Sequence, residues 1–135
     1  MTVVKTESEV QQEIQIYGPN DHCILLRNNS GAFADSTGRN VRYGLGNISK
    51  KHTEEIKSSD LIGIKTIVIT PDMVGKMIGI FTAIEVKKEG FVYNQLDKRQ
   101  RAQNNFIEWV KLRGGIAGFA SSVEEFKKLM TSVRA

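Results

Sequence analysis

Apolar positions recur at helical spacing in three stretches and gather into short β-branched runs between them, so the chain predicts an alternation of helices and strands. Val10, Ile14 and Tyr17 share one side of a helix over residues 7–16, which Gly18-Pro19-Asn20-Asp21 ends in a turn. Residues 22–27 form a short apolar run that reads as a strand, and the Asn-, Ser- and Gly-rich residues 28–39 read as a loop. Val41-Arg42-Tyr43 suggests a second strand, ended by Gly44 and Gly46; residues 47–57 are compatible with a loop or a short helix. Residues 60–69 make one long or two short strands, broken by Thr70-Pro71-Asp72. Residues 78–87 give the strongest strand, apolar enough to be central and covered on both faces. These two runs are close enough to pair as an antiparallel hairpin. A helix over residues 96–112, with Ala102, Phe106, Trp109 and Val110 apolar, ends at Gly114-Gly115. A strand of small residues, 116–120, follows. Ser122 and Glu125 form a capping box that opens a last helix, with Val123, Phe126, Met130 and Val133 toward the core. The expected architecture is a mixed α/β sandwich, one sheet with helices against it.

Length and composition narrow this picture without changing it. The 135 residues suit one domain, 1–135, on a prior of roughly 100 to 200 residues each. With 40% apolar and 25% charged residues and two prolines, the chain is globular in character. No apolar run approaches the roughly 20 residues of a membrane helix and the N-terminus lacks a signal-peptide core, so a soluble, cytoplasmic protein is expected. Cys23 is the single cysteine, which excludes an internal disulfide framework.

Charge adds a candidate partner. The formal charge of +4 is concentrated in two blocks. Arg39, Arg42, Lys50, Lys51 and Lys57 stand against Glu54 and Glu55; Lys98, Arg99, Arg101, Lys111 and Arg113 stand against Asp97 and Glu108. Each block is a solvated surface or a contact for a polyanion.

Candidate chemistry begins with Glu85 and Lys87, two apart on the strongest strand and therefore on one face. Roughly two acid-x-base pairs are expected by chance, and three others occur, so the spacing alone is weak. Their position at the end of an apolar strand makes ionised groups costly unless they pair with each other or bind a cation. The hairpin would bring Asp60 near Glu85, and such oxygen clusters suit Mg²⁺ or Mn²⁺. Lys87 beside them would stabilise a phosphoryl transition state. Gln103 shares a helix face with Phe106, Ile107 and Val110 and should point inward, as a satisfied core amide or a support for the site. Glu9 and Glu13, one turn apart, are further carboxylates or plain solvated residues. Two histidines without HxxxH or CxxC spacing give no zinc site, and the absence of a Walker lysine loop or GxGxxG argues against a nucleotide cofactor. Tyr17, Tyr43, Phe91, Tyr93 and Trp109 look too scattered for a base-stacking platform.

Taken in order, Glu9, Arg27-Asn28-Asn29-Ser30-Gly31, Tyr43-Gly44-Leu45, Ser58-Ser59-Asp60-Leu61-Ile62-Gly63-Ile64, Gly79-Ile80-Phe81-Thr82-Ala83-Ile84-Glu85-Val86-Lys87, Gln103-Asn104-Asn105-Phe106-Ile107 and Gly114-Gly115 resemble the VRR-NUC domain, a branch of the PD-(D/E)XK nuclease superfamily. The resemblance spans nearly the whole chain. It implies a restriction-endonuclease-like α/β core, with a mixed central sheet flanked by helices. It also implies DNA phosphodiester hydrolysis with Mg²⁺ or Mn²⁺. Asp60, Glu85 and Glu9, with Val86, would form the metal site, Lys87 would be the catalytic lysine and Gln103 its supporting glutamine. Stand-alone members of this length look phage- or plasmid-borne and are linked to homodimers that cut four-way junctions. Arg27, Asn28, Arg39, Arg42, Lys50, Lys51 and Lys57 would contact DNA. Two departures stand out: a literal Pro71-Asp72, whose proline assigns Asp72 to a turn rather than to the metal, and Lys57 where the family pattern expects glycine. The competing reading is a non-catalytic DNA- or junction-binding module on the same fold, in which Glu85 and Lys87 form only a salt bridge.

Overall fold

The computed structural model describes residues 3–55 and 57–131. In chain order its elements are α1 (Glu7–Tyr17), a 3-10 turn (Gly18–Asp21), β1 (Cys23–Arg27), β2 (Gly31–Ala34), β3 (Asn40–Tyr43), α2 (Lys50–Glu55), β4 (Leu61–Lys65), a second 3-10 turn (Pro71–Met73), β5 (Thr82–Val86), α3 (Lys98–Leu112), β6 (Ile116–Ala120) and α4 (Val123–Thr131). The chain is mixed α/β, and among the described residues the strands form three two-stranded sheets. By internal contacts it falls into two compact units, Met1–Lys65 and Thr66–Ala135.

In the first unit, β1 and β4 pair antiparallel, with Cys23 opposite Lys65 and Arg27 opposite Leu61. Asn28 continues the pairing past the strand end, its N–H donating to Asp60 O at 2.8 Å and its side-chain amide to Ser59 O at 2.8 Å. Helix α1 opens with a capping box between Thr6 and Glu9. Its expected apolar stripe does not face the strands. Val10, Ile14 and Tyr17 are exposed, and the half-buried positions are Gln11 and Gln15, whose Nε2 donates to Leu25 O at 3.3 Å. A carbonyl at the sheet surface needs a donor, which the glutamine supplies and an aliphatic side chain cannot.

The stretch read as a loop, residues 28–39, contains β2, which pairs antiparallel with β3. Gly31-Ala32-Phe33-Ala34 carries no apolar alternation, and its strand character comes from the ladder its partner provides. Asp35 closes the hairpin, accepting from the N–H groups of Thr37 and Arg39 at 2.9 Å each and from the Thr37 hydroxyl at 2.6 Å. These donors, the Thr37 hydroxyl foremost, hold the Asp35 carboxyl below the ordinary aspartate range. The polar stretch after Asn47 forms the short helix α2.

In the second unit, β5 and β6 pair in parallel from Thr82–Ile116 to Val86–Ala120, joined through α3. Parallel neighbours need such a crossover, and α3 supplies it. Ile107 and Val110 of α3, with Ile116, Ala117 and Ala120 of β6, form the buried apolar centre. Four expectations change here. The covered strand is β6 rather than β5, because α3 and α4 both pack on β6 while Val86 of β5 is 75% exposed. The runs at residues 60–69 and 78–87 yield only five strand residues each. The expected hairpin between them is also replaced: β4 takes β1 as its partner and β5 takes β6. Helix α4 turns Leu129 and Met130 inward while Val123 and Phe126 are exposed; Val133 lies outside the described residues. Ser122 caps this helix through Glu125 N at 3.1 Å, and the Glu125 carboxylate reaches back to Ser121. Pro71 and Asp72 sit in a turn, where the Thr70 hydroxyl donates to Asp72.

Candidate active site

Lys87 follows the last residue of β5, and its N–H still donates to Ala120 O at 2.9 Å. The pleat therefore persists one residue beyond the strand, and Glu85 and Lys87 emerge on one face. On α3, Ile107 and Val110 are buried with Val110 at 0% exposure, and Gln103 lies one turn before Ile107 on the same side. Its amide meets the charged pair. Gln103 Nε2 donates to Glu85 Oε1 at 2.8 Å, and Lys87 Nζ donates to Gln103 Oε1 at 2.8 Å. The direct Lys87–Glu85 separation is 3.9 Å, with side-chain exposures of 19% and 39%. One amide thus bridges an ammonium and a carboxylate in a partly desolvated setting, where each charge needs its partner.

Aromatic rings complete the surroundings of Lys87. Its Nζ lies 5.3 Å from the centroid of Phe91 and 5.7 Å from that of Phe119. The two rings are 5.1 Å apart, and Tyr93 stacks on Phe119 at 5.6 Å. Such rings attract a cation through their negative faces. None of the three was assigned to the site from sequence. No sequence signal marks them: Phe119 comes to lie directly beside Glu85 through the β5–β6 register.

The donor chemistry fits one part of a hard-cation site. Glu85 Oε1 is engaged by Gln103, while Oε2 accepts no hydrogen bond among the described residues. Mg²⁺ and Mn²⁺ favour oxygen donors, and Mg²⁺ is commonly held by one or two carboxylates together with waters and substrate phosphates. Glu85 supplies one such carboxylate, with Val86 next to it on β5. Among the described residues, no three His, Cys, Asp or Glu side chains gather.

The remaining candidates belong to the first unit. Asp60 is exposed at the opening of β4, its backbone carbonyl taken by Asn28. Because β4 pairs with β1 and β5 with β6, the pairing of Asp60 with Glu85 rests on the resemblance. Glu9 Oε2 accepts from Thr6 N at 3.2 Å, a helix-capping role that the Thr6-x-x-Glu9 spacing encodes. Glu13 pairs with Lys5 at 2.9 Å. Asn28 binds the chain before β4, as described above. Arg27 lines a polar cavity of about 520 Å³ with Gln11, Gln12 and Gln15 of α1. Arg39, Lys50, Lys51 and Lys57 are exposed. Arg42 Nη1 donates to Asn47 Oδ1 at 3.1 Å. No family model, no curated protein and no solved structure matches the chain.

Proposed function

We propose that the protein is a divalent-metal-dependent DNA endonuclease of restriction-endonuclease-like fold that cuts branched DNA, four-way junctions above all, as a homodimer. The observation that carries this reading is the hydrogen-bonded chain Glu85–Gln103–Lys87. A carboxylate whose Oε2 accepts no hydrogen bond among the described residues, an ammonium held by an acceptor and two rings, and an amide joining them are groups that metal-assisted phosphodiester hydrolysis can use. The family resemblance adds Asp60, Glu9 and Val86 to the metal site. A divalent cation held there would lower the pKa of a bound water and offset charge on the phosphodiester.

The protein's own groups have distinct tasks in this reading. Gln103 orients Glu85 through Oε1, and the carboxylate would hold the cation. Lys87, fixed by Gln103 and by the Phe91 and Phe119 rings, directs its ammonium toward a phosphate oxygen as charge develops. Arg27, Asn28, Arg39, Arg42, Lys50, Lys51 and Lys57 hold the backbone through phosphate contacts, which position DNA without reading sequence. Two copies give two cuts on a symmetric substrate.

The test is cleavage of a labelled four-way junction beside a linear duplex and single strands, with Mg²⁺, Mn²⁺ or EDTA, for the wild type and Glu85→Gln. Paired nicks that need metal and vanish in Glu85→Gln are expected. Equal cutting of linear DNA would end the junction preference. Junction binding without cleavage in either metal would return Glu85 and Lys87 to a salt bridge in a binding module.

A further inference from the structure

The hairpin of the first unit brings together two aromatic residues that are ten apart in sequence. Phe33 lies opposite Val41 and Gly31 opposite Tyr43, so strand alternation sets Phe33, Val41 and Tyr43 on one face and Ala32 and Arg42 on the other. The Phe33 and Tyr43 rings are 6.2 Å apart and tilted by 47°. They are 53% and 48% exposed. Gly31 permits this arrangement: a Cβ there would stand 2.6 Å from the Tyr43 hydroxyl oxygen and 2.8 Å from Cζ, lifting the ring off β2.

Asn47 ties this face to basic residues. Its Nδ2 donates to Gly31 O at 2.7 Å and Tyr43 O at 2.8 Å. Its Oδ1 accepts from Arg42 Nη1 at 3.1 Å and from the Thr53 hydroxyl of α2 at 2.9 Å. The aromatic hairpin and the start of α2, with exposed Lys50 and Lys51, are thereby one assembly. Residues 31–51 hold four basic side chains, Arg39, Arg42, Lys50 and Lys51, against one acidic, Asp35.

We infer that the Phe33–Tyr43 face receives an unpaired base of a nucleic-acid strand, with Lys50, Lys51 and Arg39 on the flanking phosphates. Exposed rings on a hairpin that Asn47 joins to a lysine-bearing helix match the two faces of a single strand, an aromatic base and an anionic backbone. A paired duplex hides its base faces in the stack and would use only the cations. The inference deepens the reading of the chain as a protein of branched DNA, whose junctions and flaps offer such bases, and it does not depend on the Glu85 network.

The experiment titrates the full chain in EDTA with a short single strand carrying one 2-aminopurine, with its RNA counterpart and with the blunt duplex. Wild type and Phe33→Trp should quench the 2-aminopurine fluorescence of a single strand by stacking. Phe33→Ala should abolish the quenching and weaken single-strand binding by about ten- to a hundredfold. Duplex binding should stay within about twofold. The DNA and RNA arms identify which strand the face takes. Circular dichroism checks that each variant is folded. Absent quenching in wild type, or equal weakening on strand and duplex, overturns the inference. So does a Phe33→Ala change confined to sedimentation, which would make the face a contact between two copies. Junction cleavage is run in parallel. Its loss with quenching retained removes only the nuclease reading, and the reverse removes only this one.

Discussion

Gln103 is the residue whose removal is most informative, because its two amide atoms each serve a different charge. In Gln103→Leu the helix position and the apolar contacts survive, but Lys87 loses its 2.8 Å acceptor and Glu85 its 2.8 Å donor. Loss of a hydrogen bond to a charged group costs about 1.5–3 kcal/mol where the group cannot reach water. Glu85, 39% exposed, recovers most of its share from solvent. A net loss of about 1–2 kcal/mol is therefore expected, read as a lower melting temperature by circular dichroism. If the chain cleaves DNA as proposed, single-turnover cleavage should fall at least tenfold, since about 1.4 kcal/mol of lost transition-state support is a factor of ten. An unchanged rate would assign Gln103 to packing alone. That Glu85 and Lys87 share a face was legible from their spacing, and that Gln103 points inward was legible from its helix face. The aromatic rings beside Lys87 were not, because Phe91 and Phe119 reach it from a loop and from a second strand.

The two glycines that close α3 have different tasks, which their adjacency in sequence conceals. Gly114 has φ +86°, the left-handed conformation that ends many helices, and no atom lies within 4 Å of where its Cβ would be. Gly115 has ordinary φ but sits where β6 leaves the helix. A Cβ there would come within 2.6 Å of Val110 Cγ1 and 2.8 Å of Phe81 O. Gly114→Ala should cost about 1 kcal/mol from conformation alone. Gly115→Ala must displace backbone against the most buried side chain of the unit and should cost about 1–3 kcal/mol. Urea midpoints should therefore fall further for Gly115→Ala. The reverse order would place the tighter constraint at the helix end. The boundaries of α1, α3, β6 and α4 followed from periodicity, caps and glycines. Strand β2 did not, because a half-exposed Gly-Ala-Phe-Ala segment becomes a strand only when β3 offers hydrogen bonds.

For the whole molecule, the decisive property is whether the carboxylates of the chain hold a cation together. If Glu85 and the residues assigned with it do so, Mn²⁺ stabilises the native chain by mass action. At a concentration a hundredfold above the dissociation constant, the gain is about 2.7 kcal/mol. Thermal unfolding of the full chain should shift upward in Mn²⁺ relative to EDTA, and Glu85→Gln should lose the shift. An identical shift in both proteins would locate the binding elsewhere. Among the described residues, no helix is long and apolar enough to cross a membrane.

The sequence by itself determined the mixed α/β class, most helix and turn positions, and the side chains at which chemistry is expected. These depend on local properties: apolar spacing, capping patterns, glycine and proline conformations, and the two-residue strand repeat. Tertiary structure decided which strands pair. Contacts between distant segments depend on how loops close and which faces cover each other, and apolar runs at 60–69 and 78–87 suit several partners equally. It alone joined Phe33 to Tyr43 across β2 and β3, and it alone set Phe119 beside Glu85 through the parallel ladder of β5 and β6.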